Sequence, residues 1–137
     1  MDRSDPGFLE ELMERPSLQR VREICLALPE TSEKLSWGHT PTFRVRDKIF
    51  AQYEDNHHGS GRVDLWCKAP EGAQEVLTES EPSVYFRPPY VGHLGWVGVH
   101  LDGPLDWDVV SGLIEEAYRM TAPKRVLAAM DEAGAAG

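Results

Sequence analysis

Five histidines and two cysteines are the residues of this 137-residue chain whose types could ligate a metal or start a covalent step. His57 and His58 are adjacent, so in a strand they would point to opposite faces. His39, His93 and His100 lack the i, i+4 spacing of a helical ligand pair, and neither Cys25 nor Cys67 has a Cys-x-x-Cys partner. No metal and no other cofactor is therefore expected. The chain has no Gly-x-Ser-x-Gly elbow and no phosphate-cradling glycine loop. A Cys67 and His100 nucleophile pair would need both side chains on one strand face, and alternation places them on opposite faces. The chain reads as a non-enzyme. Both cysteines fall at apolar-face positions and read as buried free thiols of a cytoplasmic protein rather than as a disulfide.

The stretch RPPYVGHLGWVGVHLDG, residues 87 to 103, concentrates the remaining unusual chemistry. Pro88 and Pro89 force an extended approach, and Gly92 and Gly95 permit a tight loop. Tyr90 and Trp96 supply apolar bodies to anchor it. It reads as a loop and strand that the fold requires, with the option of bordering a pocket near His93, Gly98 and His100.

The elements that must position these residues follow from periodicity. Residues 5 to 14 read as a leading helix with Asp5 as cap and Pro6 in its first turn. Ser17 caps a second helix over roughly 18 to 28, whose stripe is Leu18, Val21, Ile24, Cys25 and Leu28. Strands follow in TFRVR and KIFAQY, joined by a turn at Asp47-Lys48, and in RVDLWCK after the polar hairpin loop EDNHHGSG. A short helix over about 70 to 80, a brief strand SVYFR and the strand WVGVHLD come next. Asp106 caps a helix with the apolar face Val109, Val110, Leu113, Ile114, Ala117 and Tyr118, and PKRVLAAMDEA closes the chain. The expected architecture is one α+β domain over 1–137, with a leading segment 1–16 and a core of about 17–133. It is a two-layer sandwich: an antiparallel sheet with helices packed on one face.

If Phe43, Val45, Val63, Leu65, Val97, Val99 and Leu101 face the helices, the other face holds Arg44, Arg46, Arg62, Asp64, Trp66, Lys68, Trp96, Gly98 and His100. Cations interleaved with tryptophans suit a docking platform, because Trp and Arg dominate binding hot spots. The competing expectation is that the short helix, the 54 to 61 loop or the N-terminus folds over this face and buries the indoles. The net charge of −9 weighs against a polyanionic partner, yet residues 34 to 68 carry six Lys and Arg against four acids. No apolar run approaches the roughly 20 residues that span a bilayer, and the acidic N-terminus has no signal core, so no membrane partner is expected.

The ordered set LPETSEKLSWGHTPTFRVRDKIFA, DLWCKAP, RPPYVGHLGWVGVHLDG and DWDVVSGLIEEAYRM resembles the MmcQ/YjbR family of small bacterial proteins, over roughly residues 17 to 125. The resemblance implies a CyaY-like, frataxin-like fold and a DNA-binding label, with no catalytic residues to carry over. Three expectations follow for the open face. The first is nucleic-acid binding through Arg44, Arg46, Arg62, Trp66, Lys68, Trp96 and His100. The second is a protein or peptide partner, or a homodimer, using the same face or the Pro/Gly loop, in a monomer or weak homodimer. The third is a small-molecule or metal site around Gly98, His100 and His93.

Overall fold

Alternation along the strands decides which layer each side chain enters, and the computed structural model, which describes residue 3 and residues 5–136, shows the outcome. Helices α1 (Phe8–Glu14) and α2 (Pro16–Leu26) lead into strands β1 (Thr31–Ser36), β2 (Thr40–Val45), β3 (Lys48–Asp55) and β4 (Val63–Cys67). Helix α3 (Ala73–Ser80), strands β5 (Tyr85–Phe86) and β6 (Val97–His100), and helices α4 (Trp107–Thr121) and α5 (Lys124–Ala136) complete the chain. The six strands form one sheet in the order β1-β2-β3-β4-β6-β5, and all pairs are antiparallel.

The core lies between one face of this sheet and the helices. Val45, Phe43, Tyr53, Leu65, Val97 and Val99 meet Leu12, Leu18, Val21, Cys25, Val110, Ile114 and Tyr118, all at or near zero exposure. Apolar burial on this scale is the main stabilising term of such a domain. A register shift in the β2–β3 pairing leaves Phe50 unpaired between Ile49 and Ala51. The bulge turns Phe50 toward the helices as well, where its ring meets Tyr118 edge-on at 5.7 Å. Both thiols lie in this layer, buried and unpaired. Burial pushes the Cys67 thiol up to about 12 and raises Cys25 too, so both are protonated at neutral pH.

Several local expectations are corrected. Strand β1 has no apolar alternation in TSEKLS and was not anticipated; it is an edge strand tied to α2 by the bidentate Arg22–Glu33 pair at 2.6 and 2.7 Å. The leading helix starts at Phe8 rather than residue 5. Ser17 does not cap α2: its hydroxyl lies 2.6 Å from the Tyr53 hydroxyl, bracing helix against sheet. The β2–β3 turn is Arg46-Asp47, both at positive φ, as a two-residue hairpin turn requires. Asp106 does cap α4, accepting from the Asp108 amide at 3.0 Å, whereas Val109 is largely exposed.

Candidate functional site

The parity of β4 and β6 is as expected: Val63, Leu65, Val97 and Val99 enter the helical core, and Trp66 and Trp96 stay outside it. Their exposure follows the competing expectation, in which the 54 to 61 loop or the N-terminus folds over this face. Trp66 is 2% exposed and Trp96 7% exposed, so neither indole offers an open platform. The chain covers its own open face. A short 3-10 turn, His57–Gly59, sets the His57 ring edge-on against Trp66 at 4.9 Å. Arg3 reaches the same face from ahead of α1.

Between this cover and the sheet lies a cavity of about 1070 Å³, lined from the strands by Thr40, Gln52, Glu54 and Trp66. Gln52 stands directly opposite both Thr42 and Trp66 in the sheet, which puts these side chains on one face. Arg3, Trp37, His39, Asn56, His57, His58, Gly59, Tyr90 and Val91 complete the lining. Trp37 and Tyr90 form an exposed aromatic rim, at 66% and 67% exposure. Tyr90 Oη lies 3.2 Å from His58 Nε2, and His58 stacks on His57 at 4.0 Å. Trp37, Asn56, His58 and Tyr90 all have φ between +51 and +66. Bulky side chains rarely adopt that conformation.

The polar groups of the cavity are ordered. Gln52 Nε2 donates to Glu54 Oε1 at 2.9 Å, and the other carboxylate oxygen pairs with Arg3. Arg3 Nε donates to the Asp55 carbonyl at 3.0 Å, and its guanidinium lies 3.3 Å from His39 Nδ1. Burial pulls His39 below its ordinary value, and the charge on Arg3 adds to the fall. Burial also lowers His57, with Glu54 acting against it. Both imidazoles are thus neutral at neutral pH. One polar atom has nothing to do: among the described residues, Trp66 Nε1 is the only buried side-chain nitrogen or oxygen without a hydrogen-bond partner. A buried donor left unmet costs about 1–3 kcal/mol and calls for an acceptor.

The other residues expected on this face are dispersed. Arg44 is on it, but its guanidinium is laced to Ser36 and Thr42 at 3.0 and 3.2 Å. Arg46 sits in the β2–β3 turn and pairs with Glu30 at 2.7 Å; Arg62 precedes β4 and pairs with Asp102 at 2.8 Å. Lys68 is half-buried, and burial lowers its pKa, with Lys48 adding to the shift. His100 faces Asp64 at 2.6 Å and stacks on Phe86 at 4.4 Å. Burial raises the Asp64 carboxyl, and the His100 bond works against it. The expected dent at Gly98 is filled: a Cβ there would come within 2.3 Å of the Phe86 ring. No dent is left beside Gly98, and His93 is exposed. The Pro/Gly stretch has a structural anchor. Gln74 on α3 donates to the carbonyls of Gly92 and Trp96 at 2.9 and 2.5 Å.

A family model described as YjbR matches residues 26–120, which hold every strand of the sheet and every cavity-lining residue except Arg3. The chain belongs to the YjbR family. The crystal structure of Deinococcus radiodurans protein DR2400, a DUF419 domain, is similar to this YjbR chain at a TM-score of 0.64 and 21% identity. The match covers 74% of this chain and 75% of that one and shows the shared fold. No curated protein matches the chain at a significant level.

Of the cavity residues, sequence reasoning placed Trp66 on the candidate face, and Tyr90 and Val91 only as part of the Pro/Gly loop. Gln52 and Glu54 were findable, because their i, i+2 spacing in KIFAQYED puts two polar groups on the open face of a strand that pairs with β4. His57, His58, Trp37 and Tyr90 arrive through loops at positive φ, which strand periodicity does not reach.

Proposed function

We propose that this YjbR-family chain is a non-enzymatic ligand-binding domain, and that the cavity on the open face of its sheet takes a small planar molecule presenting a hydrogen-bond acceptor. The observation that carries this reading is the unpartnered Trp66 Nε1, buried in the wall of a cavity rimmed by aromatic rings. A concave site of this size that combines aromatic rings with convergent polar groups suits a small molecule. Trp37 and Tyr90 are placed to close over a flat ligand. The thiols belong to the opposite layer, and the Asp64–His100 pair lies outside the cavity lining. Those placements favour binding over covalent chemistry.

DNA binding through the same face has less support. Arg46 and Arg62 are engaged by carboxylates, Arg44 by hydroxyls, and the chain carries −9 overall. A protein partner docking on this face would meet the exposed Trp37 and Tyr90 of the rim.

A thermal-shift screen of planar heteroaromatic fragments tests the reading. Hits should stabilise the protein, by about 2.7 kcal/mol at a hundredfold excess over Kd. Trp37→Ala and Tyr90→Ala, at exposed positions, should weaken the hits while leaving the unliganded melt near wild type. A screen without hits, or hits indifferent to both variants, contradicts it.

A further inference from the structure

The strangest guest in the cavity belongs to the chain itself. Glu54 has a side chain only 4% exposed, on a strand in the middle of the sheet, and its cation is Arg3, 51 residues away in sequence. A carboxylate this buried is unfavourable without a cation. Gln52 holds one carboxylate oxygen at 2.9 Å and leaves the other to Arg3, so the acceptor geometry is set by the sheet and the donor is supplied from outside it. Arg3 also lies outside residues 26–120, the part matched to the family, whereas Glu54 and Gln52 lie within it. With Arg3 in place about 1070 Å³ remains, walled by Trp37, Trp66, His57 and Tyr90. Aromatic faces favour a cation, and the neutral His39 and His57 add no opposing charge. The net charge of −9 draws cations toward the surface.

We infer that the Glu54 carboxylate is the charge subsite for a ligand bearing a planar cation, a guanidinium or amidinium, attached to a flat body, and that Arg3 is its resident stand-in. This rests on the cavity being a ligand site and adds its charge preference. A ligand of this class displaces Arg3 from Glu54 and lays its planar body among the aromatic rings. Arg3 therefore acts as a built-in competitor that lowers apparent affinity, as any occupied subsite does.

Isothermal titration with benzamidine and its neutral isostere benzamide separates the claims. Benzamidine should bind Arg3→Ala at least tenfold tighter than wild type, and at least tenfold tighter than benzamide binds the same variant. Glu54→Gln should lose the benzamidine preference while still accepting benzamide. Equal binding of the two probes to Arg3→Ala overturns the cationic subsite and leaves the cavity reading standing. Absence of both probes from every variant overturns both. Should either variant fail to fold, the wild-type protein still decides. Saturating benzamidine should move the Arg3 Nε–H resonance to the position of a free arginine, and a resonance that stays put contradicts displacement.

Discussion

At the scale of single residues, the cavity is a set of groups whose ordinary preferences are overridden by position. His39 and His57 are held below their ordinary value of 6.5, chiefly by burial. The sign of the consequence follows. The unfolded imidazoles take up protons that the folded ones refuse, so this contribution is fully present above about pH 6.5 and is lost as pH falls through it. Chemical melts between pH 7.5 and 5.5 should show falling stability, and His57→Gln should flatten part of the slope; an unchanged slope means His57 titrates normally. Gly98 is the second residue-scale case. Its missing side chain is occupied by Phe86, which in turn stacks on His100. Gly98→Ala should cost roughly 1–3 kcal/mol in a denaturant melt through overpacking. A neutral substitution would mean that the Phe86 ring swings away freely.

At the scale of elements, the layer assignment was readable, whereas the cover by the 54 to 61 loop and the N-terminus was legible only as one of two alternatives. Period-two alternation in RVDLWCK and WVGVHLD, and the stripe of α4, are set by burial of one face, and those strand and helix faces lie where the pattern puts them, Val109 excepted. Ile114 is fully buried in that stripe, whereas Leu113 is only partly so. Ile114→Ala should therefore cost roughly 2–5 kcal/mol, measured by urea unfolding; a loss below about half a kcal/mol would mean that α4 does not carry the core. The same alternation sent Trp66 and Trp96 outward correctly but said nothing of what lay above them. That depended on residue 3, on a 3-10 turn at 57–59 and on loop residues at positive φ, none of which carries a periodic signal. Strand β1 was unreadable for a related reason: as an edge strand it takes Glu33 toward α2 through Arg22 rather than through an apolar contact.

At the scale of the molecule, charge bears on the partner and the family match does not. The family model fixes the chain among YjbR proteins, and the fold is shared with DR2400, yet neither states a ligand. Among the described residues no helix is long and apolar enough to cross a membrane. With −9 overall and its face arginines engaged within the protein, the chain should show no anisotropy change with a labelled DNA duplex at 50 mM salt and micromolar protein. Salt-dependent binding that is lost on Arg44→Ala would reverse that expectation. The central claim concerns the cavity and comes down to one donor. Of the four tryptophans, Trp66 has its indole N–H buried in the cavity wall without a partner. The decisive measurement is a nitrogen-15 NMR titration of the indole resonances with planar heteroaromatic probes bearing a ring-nitrogen acceptor. The account requires the Trp66 resonance, assigned through Trp66→Phe, to shift downfield and saturate while that of Trp107 stays fixed. A Trp66 resonance indifferent to every probe at millimolar concentration would contradict it.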